Sequence, residues 1–199
     1  MAALRQASAT AASFTLGYTL GRLGLLDPAL VEGLVWPLLA VLVVLVGAMV
    51  GASRDKLEGG LSRAWLGVAM ALAALAASSL AGLLVAPLAG IPPKASAAAA
   101  AGMGWYTYTG PYLAATLDPQ AGLVGFSANL ARELATLVAY PLLPGRLRVP
   151  GVAIGGATTM DTSLPVIAKH GGPEAALVAV SYGLASTLLV PVALPLIAG

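Results

Sequence analysis

Gly155-Gly156-Ala157-Thr158-Thr159-Met160-Asp161-Thr162-Ser163-Leu164-Pro165 lies within an apolar sequence but has the wrong composition for a plain membrane helix. Paired glycines, three threonines, a serine, a proline and the ionisable Asp161 stand where hydrocarbon-depth residues are expected. Without water, every backbone N–H and C=O must be satisfied internally, so irregular backbone is tolerated only where protein or a polar cavity surrounds it. The stretch reads as a break in a membrane helix, and a substrate or ion site is the usual reason for one.

Composition sets the apolar context. Of 199 residues, 59% are hydrophobic and 9% charged, against about 25% charged in a soluble domain, and the mean hydropathy is +0.91. The apolar runs are long and continuous, unlike the alternating strands of an outer-membrane barrel. These features predict an all-α polytopic membrane protein, multi-pass in the lipid bilayer, with 1–199 forming a single transporter domain. A net charge of +2 on ten basic and eight acidic residues gives no nucleic-acid footprint; in a membrane protein it reflects topology. There is no cysteine, which removes disulfides, thiol catalysis and cysteine-ligated metal.

Ala7–Leu26 reads as a first, polar-tinged membrane helix: it holds Arg22 and lacks the compact Leu/Val core of a signal peptide. Val31–Ser53 is the clearest span, followed by the charge cluster Arg54, Asp55, Lys56, Glu58 and Arg63, which reads as an exposed loop. Ala64–Gly90, Ala95–Thr116, Gln120–Leu143, Val149–Ala168 and Pro173–Ile197 complete about seven segments. The placement of Lys and Arg then favours, faintly, a cytoplasmic N-terminus.

Ala95–Thr116 is the second anomaly. Gly102, Gly104, Gly110 and Pro111 disfavour an uninterrupted helix, which predicts two half-helices joined by an unwound turn within 102–111. The alternative, a Trp/Tyr belt at the membrane interface, fits poorly because the aromatic residues lie in the middle of the apolar run. Two segments interrupted at comparable places, around 102–111 and 155–165, suit a transporter with its site near the midplane, as inverted repeats produce.

Helical spacing sorts the helix between the breaks. Gly125, Asn129, Glu133, Thr136 and Tyr140 share one side, forming a polar stripe toward the bundle interior. Arg132 points about 100° away from Glu133, so the two do not form a simple intrahelical pair. Arg132 is expected to reach another segment, either backbone carbonyls or the turn around Asp161. Glu133 and Asp161 against one Arg132 leave a net negative site, which should recruit a cation or take up a proton. Thr158, Thr159, Thr162 and Ser163 add hydroxyls, and unwound carbonyls could hold an ammonium group or Na+ near Asp161. Trp105, Tyr106, Thr107 and Thr109 from the first break complete the expected substrate- or ion-binding set. A neutralised packing network of Arg132, Glu133 and Asp161 is the structural alternative. His170, beside Lys169, reads as a solvated loop residue.

No G-x-x-x-x-G-K-[ST], H-E-x-x-H or G-x-S-x-G sequence occurs. A chain without these motifs is expected to be no enzyme, to carry no cofactor or metal, and to be driven by gradients or by another subunit.

Gly104-Trp-Tyr-Thr-Tyr-Thr-Gly110, Asn129-Leu-Ala-Arg-Glu133, the Gly155–Pro165 run and Gly171-Gly172 resemble, in order and spacing, the lysine exporter (LysO) family. The resemblance is strong over about the last half of the chain, and the Ala-Thr-x-Met-Asp-x-x-Leu-Pro run is its most specific part. It implies L-lysine export across the cytoplasmic (inner) membrane, with Glu133 and Asp161 at the family's intramembrane acidic positions. Tyr108, Thr109 and Thr159 depart from the family's usual leucine, serine and serine while keeping bulk or polarity. Longer members carry extra N-terminal membrane segments, so the resemblance implies work with a small companion subunit, as a homodimer, or by this chain alone. The leading expectation is export by proton or sodium antiport. A cation/proton antiporter without organic substrate, a non-transporting membrane scaffold and, more weakly, an intramembrane aspartyl hydrolase are the alternatives.

Overall fold

The computed structural model describes residues 12–13, 15–27, 29–30, 37, 41, 44, 48 and 60–199. The expected span Val31–Ser53 is described only at those single helical positions, and Arg54, Asp55, Lys56 and Glu58 lie outside the described residues. Every regular secondary-structure element among the described residues is helical. The fully described helices are α1 (Gly60–Ala89), α2 (Pro93–Ala101), α3 (Tyr106–Thr116), α4 (Pro119–Ala139) and α5 (Leu164–Ala198). Short 3₁₀ turns, Tyr140–Leu142, Gly145–Leu147, Pro150–Ile154 and Gly156–Met160, connect α4 to α5.

Two helices, Ser62–Ala89 and Leu164–Ala198, are long and apolar enough to cross a membrane. Little of the first is buried in the protein; Leu72, Leu80, Leu84 and Leu88 are exposed along it. So much apolar surface is unstable in water and is natural against lipid tails. The long helix α5 departs from helical geometry at Gly172 (φ 77, ψ −173), a region of backbone space open essentially to glycine alone. The kink divides it into an entry arm and a spanning arm. That arm runs beside α1 in the same direction: Arg63 pairs with Glu174 at one end (3.0 Å), and Lys94 Nζ donates to the Gly199 carbonyl at the other (2.6 Å). Arg63, expected in a loop, therefore belongs to the first turn of α1.

The first anomalous segment does leave helical geometry, over a shorter stretch than 102–111. α2 ends at Ala101 and α3 begins at Tyr106. Gly110 and Pro111, expected in the turn, lie inside α3. Pro111 falls only five residues into the helix, so its missing N–H removes one bond from the first turn. In the second segment the run from Pro150 to Met160 is 3₁₀ turn, not α-helix, and regular helix resumes at Leu164. Pro150 supplies no N–H, and Gly156 has φ +70, so an α-helix cannot propagate through the run.

The two irregular segments touch. Ala157 N–H donates to the Met103 carbonyl (2.7 Å). A Cβ on Gly156 would stand 1.8 Å from that oxygen, and one on Gly104, itself at φ +84, would stand 2.5 Å from the Gly155 carbonyl. Both glycines are required by close approach as well as by backbone conformation.

Candidate functional site

Helix α4 supplies the frame. Asp118 caps it, accepting from Ala121 N–H (2.8 Å), and Pro119 begins it where a missing N–H is harmless. Its buried face carries Gly122, Gly125, Asn129, Glu133 and Thr136, the stripe expected from spacing, and Tyr140 follows it into the core.

Asn129 is fully spent on the first break. Its Oδ1 accepts from Gly104 N–H (2.7 Å), and its Nδ2 donates to the carbonyls of Ala99 and Gly125 (both 2.8 Å). One side chain thus satisfies backbone groups left by the end of α2, which makes Asn129 a positioning residue. Arg132 performs the matching task on the second segment. Its Nε donates to the Ile154 carbonyl (2.7 Å), Nη2 to the Ala153 carbonyl (2.9 Å) and Nη1 to Ser78 Oγ (3.2 Å). Of the two destinations open in the sequence, Arg132 takes the backbone carbonyls.

Glu133 points elsewhere. Its side chain is only 6% exposed, and its Oε2 has no hydrogen-bond partner. The hydroxyls of Tyr106 and Thr162 face its carboxylate, and Asp161 lies close enough to act on it electrostatically. Asp161, half-buried at the end of the last 3₁₀ turn, accepts at Oδ1 from Thr162 N–H (2.6 Å) and weakly from its hydroxyl (3.4 Å). Among the described residues neither carboxylate has a cation for a partner. Three elements meet here: the start of α3, the middle of α4 and the backbone before α5.

The other expected site residues separate by environment. Thr158 donates to the Gly155 carbonyl or shares its hydroxyl with Ser163 (both 3.0 Å). Thr159 reaches the carbonyls of Gly156 (2.7 Å) and Ala179 (2.9 Å). These three hydroxyls hold irregular backbone in place. Thr109 is buried with Oγ1 unpartnered. Trp105 stacks on Tyr108 (centroids 4.9 Å), Tyr106 sets its ring edge-to-face with Phe126 (5.4 Å), and Thr107 is exposed.

Three further residues escaped the sequence reading. Ser78 on α1 bonds Arg132. Tyr182 on α5 donates to the Ala153 carbonyl (3.0 Å), beside Ser186, whose buried Oγ has no partner. The available signal was the i, i+4 spacing of Tyr182 and Ser186, in a largely apolar span that also holds Ser181 and Thr187.

A family model described as lysine exporter LysO matches residues 11–198. This chain belongs to the LysO family. It is similar to the lysine exporter LysO of Escherichia coli K12, at 34% identity over 126 residues, covering 63% of this chain and 42% of that protein. It is likewise similar to a candidate lysine exporter of Haemophilus influenzae, at 33% identity over 117 residues, 59% of this chain and 60% of that one. The chain thus spans about half the length of these LysO relatives. No solved structure matches it.

Proposed function

We propose that this chain is a multi-pass secondary transporter of the cytoplasmic membrane that exports L-lysine, with Glu133 and Asp161 binding the lysine ammonium group and the coupling ion in turn. The observation that carries the reading is a pair of carboxylates from two elements, converging at unwound backbone with no described cation beside them, in a LysO family chain. A buried charge without a partner costs several kcal/mol, so a cation or a proton is bound there whenever both groups are dehydrated. Lysine brings an ammonium group, and H+ or Na+ fills the site on the return, which is antiport. Tyr106 and Thr162 orient the carboxylates, while Asn129 and Arg132 fix the two irregular segments between which access alternates. A homodimer or a small companion subunit would complete a longer assembly.

The test is efflux of labelled lysine from proteoliposomes under a proton or sodium gradient. Glu133→Gln and Asp161→Asn should each reduce flux at least about tenfold, the loss of one charge-assisted contact of about 1.4 kcal/mol. Undiminished flux in both variants overturns the mechanism. Proton movement that ignores lysine would instead identify a cation/proton antiporter.

A further inference from the structure

A cavity of about 240 Å³ opens beside α4, lined by Ser78, Ala81, Ala99, Ala100, Ala128, Asn129 and Arg132. All of its walls but one are small or neutral, and its one charge is the Arg132 guanidinium. Everything that Arg132 touches is neutral: the two carbonyls of the 3₁₀ turn, the Ser78 and Tyr182 hydroxyls, and a distant Met103 sulfur (3.9 Å). An arginine has five N–H donors in a planar fork suited to carboxylate, and these contacts leave the Nη edge beside Ser78 only weakly engaged. The cavity is therefore a small pocket with a fixed positive charge, one adjacent hydroxyl donor and walls of alanine, next to a site of opposite sign at the following residue of the same helix.

We infer that the Arg132–Ser78 pocket binds the carboxylate of the exported amino acid, the Arg132 Nη edge and the Ser78 hydroxyl donating to its two oxygens. The inference rests on the lysine-export reading and adds to it a requirement for the substrate's carboxylate end. A zwitterionic amino acid with a cationic side chain then meets opposite charge at both of its ends, whereas a diamine or an amino-acid amide satisfies the acidic cluster alone. Alanine at 81, 100 and 128 keeps the pocket open, since any larger side chain there would occupy the carboxylate's place.

Competition in lysine-loaded proteoliposomes tests this. Lysinamide, which keeps both amines and replaces the carboxylate by a neutral amide, should inhibit labelled lysine efflux about tenfold less well than unlabelled lysine. Ala128→Leu fills the pocket from an exposed helix position without touching the Arg132 bonds to Ala153 and Ile154. It should raise the KM for lysine about tenfold and leave inhibition by lysinamide unchanged, and Ser78→Ala should shift the same ratio in the same direction by a smaller factor. Equal inhibition by lysine and lysinamide in the unaltered protein, or an equal loss for both in Ala128→Leu, overturns the pocket while leaving lysine export standing. Absence of any lysine flux in the unaltered protein overturns the export reading, and this inference with it.

Discussion

At the level of single residues, adjacent positions on α4 have opposite jobs. Arg132 holds backbone carbonyls with Nε and Nη2, and Glu133 keeps an oxygen with no partner at all. The contrast separates their variants. Glu133→Gln replaces a buried carboxylate that lacks a cation with a neutral isostere, so thermal unfolding in detergent should be unchanged or shift upward while transport is lost. Asn129→Ala should do the reverse of a binding-site variant. It strands the Gly104 N–H and leaves the Ala99 carbonyl only the long bond from Gly102 N–H (3.3 Å), and one unsatisfied buried group costs about 1–3 kcal/mol. Unfolding should fall by several degrees whether or not lysine is present. A loss of transport with intact stability would instead give Asn129 a direct part in binding. The stripe that contains Asn129 and Glu133 was legible from 3.6-residue periodicity, because a buried helical face records itself in spacing. That Asn129 faces inward followed from it; that all its hydrogen-bonding groups are spent on backbone did not, since those partners come from segments 25 and 30 residues away.

The elements are joined where their regular geometry fails. Met103–Gly104 and Gly155–Ala157 approach so closely that the crossing depends on two missing Cβ atoms. Gly156→Ala is expected to prevent a folded product, since the added carbon would lie 1.8 Å from the Met103 carbonyl oxygen and the backbone is at φ +70. Gly172→Ala is the control: it also has positive φ, +77, but no atom stands within 4 Å of the added carbon. It should cost only the backbone strain, about 1–3 kcal/mol, and still yield protein. Size-exclusion profiles of fluorescently tagged variants distinguish the two, and similar profiles would mean that the crossing is slack. Composition marked both irregular segments, because Gly and Pro report local backbone limits. It overextended the first to Pro111, which α3 absorbs near its start.

Across the whole molecule, helices α1 and α5 carry apolar surface to the outside. Leu72 is 53% exposed near the middle of the long helix α1, where a surface charge would be harmless in water. In a bilayer, Leu72→Lys is expected to cost about 2.5–3.5 kcal/mol and to reduce the membrane-inserted fraction on carbonate extraction. Unchanged insertion would mean that this face is covered by protein.

Composition, periodicity and the Gly/Pro punctuation determined that the described part of the chain is helical, where its helix geometry fails, and which side of α4 is buried, because each of these is a local property of consecutive residues. Tertiary structure decided the rest. It brought Tyr106, Glu133, Asp161 and Thr162 together, turned Arg132 toward Ala153 and Ile154, and opened the pocket beside Ser78. Those outcomes depend on how far two glycine-lined segments can approach each other, a distance set by packing between parts of the chain about fifty residues apart.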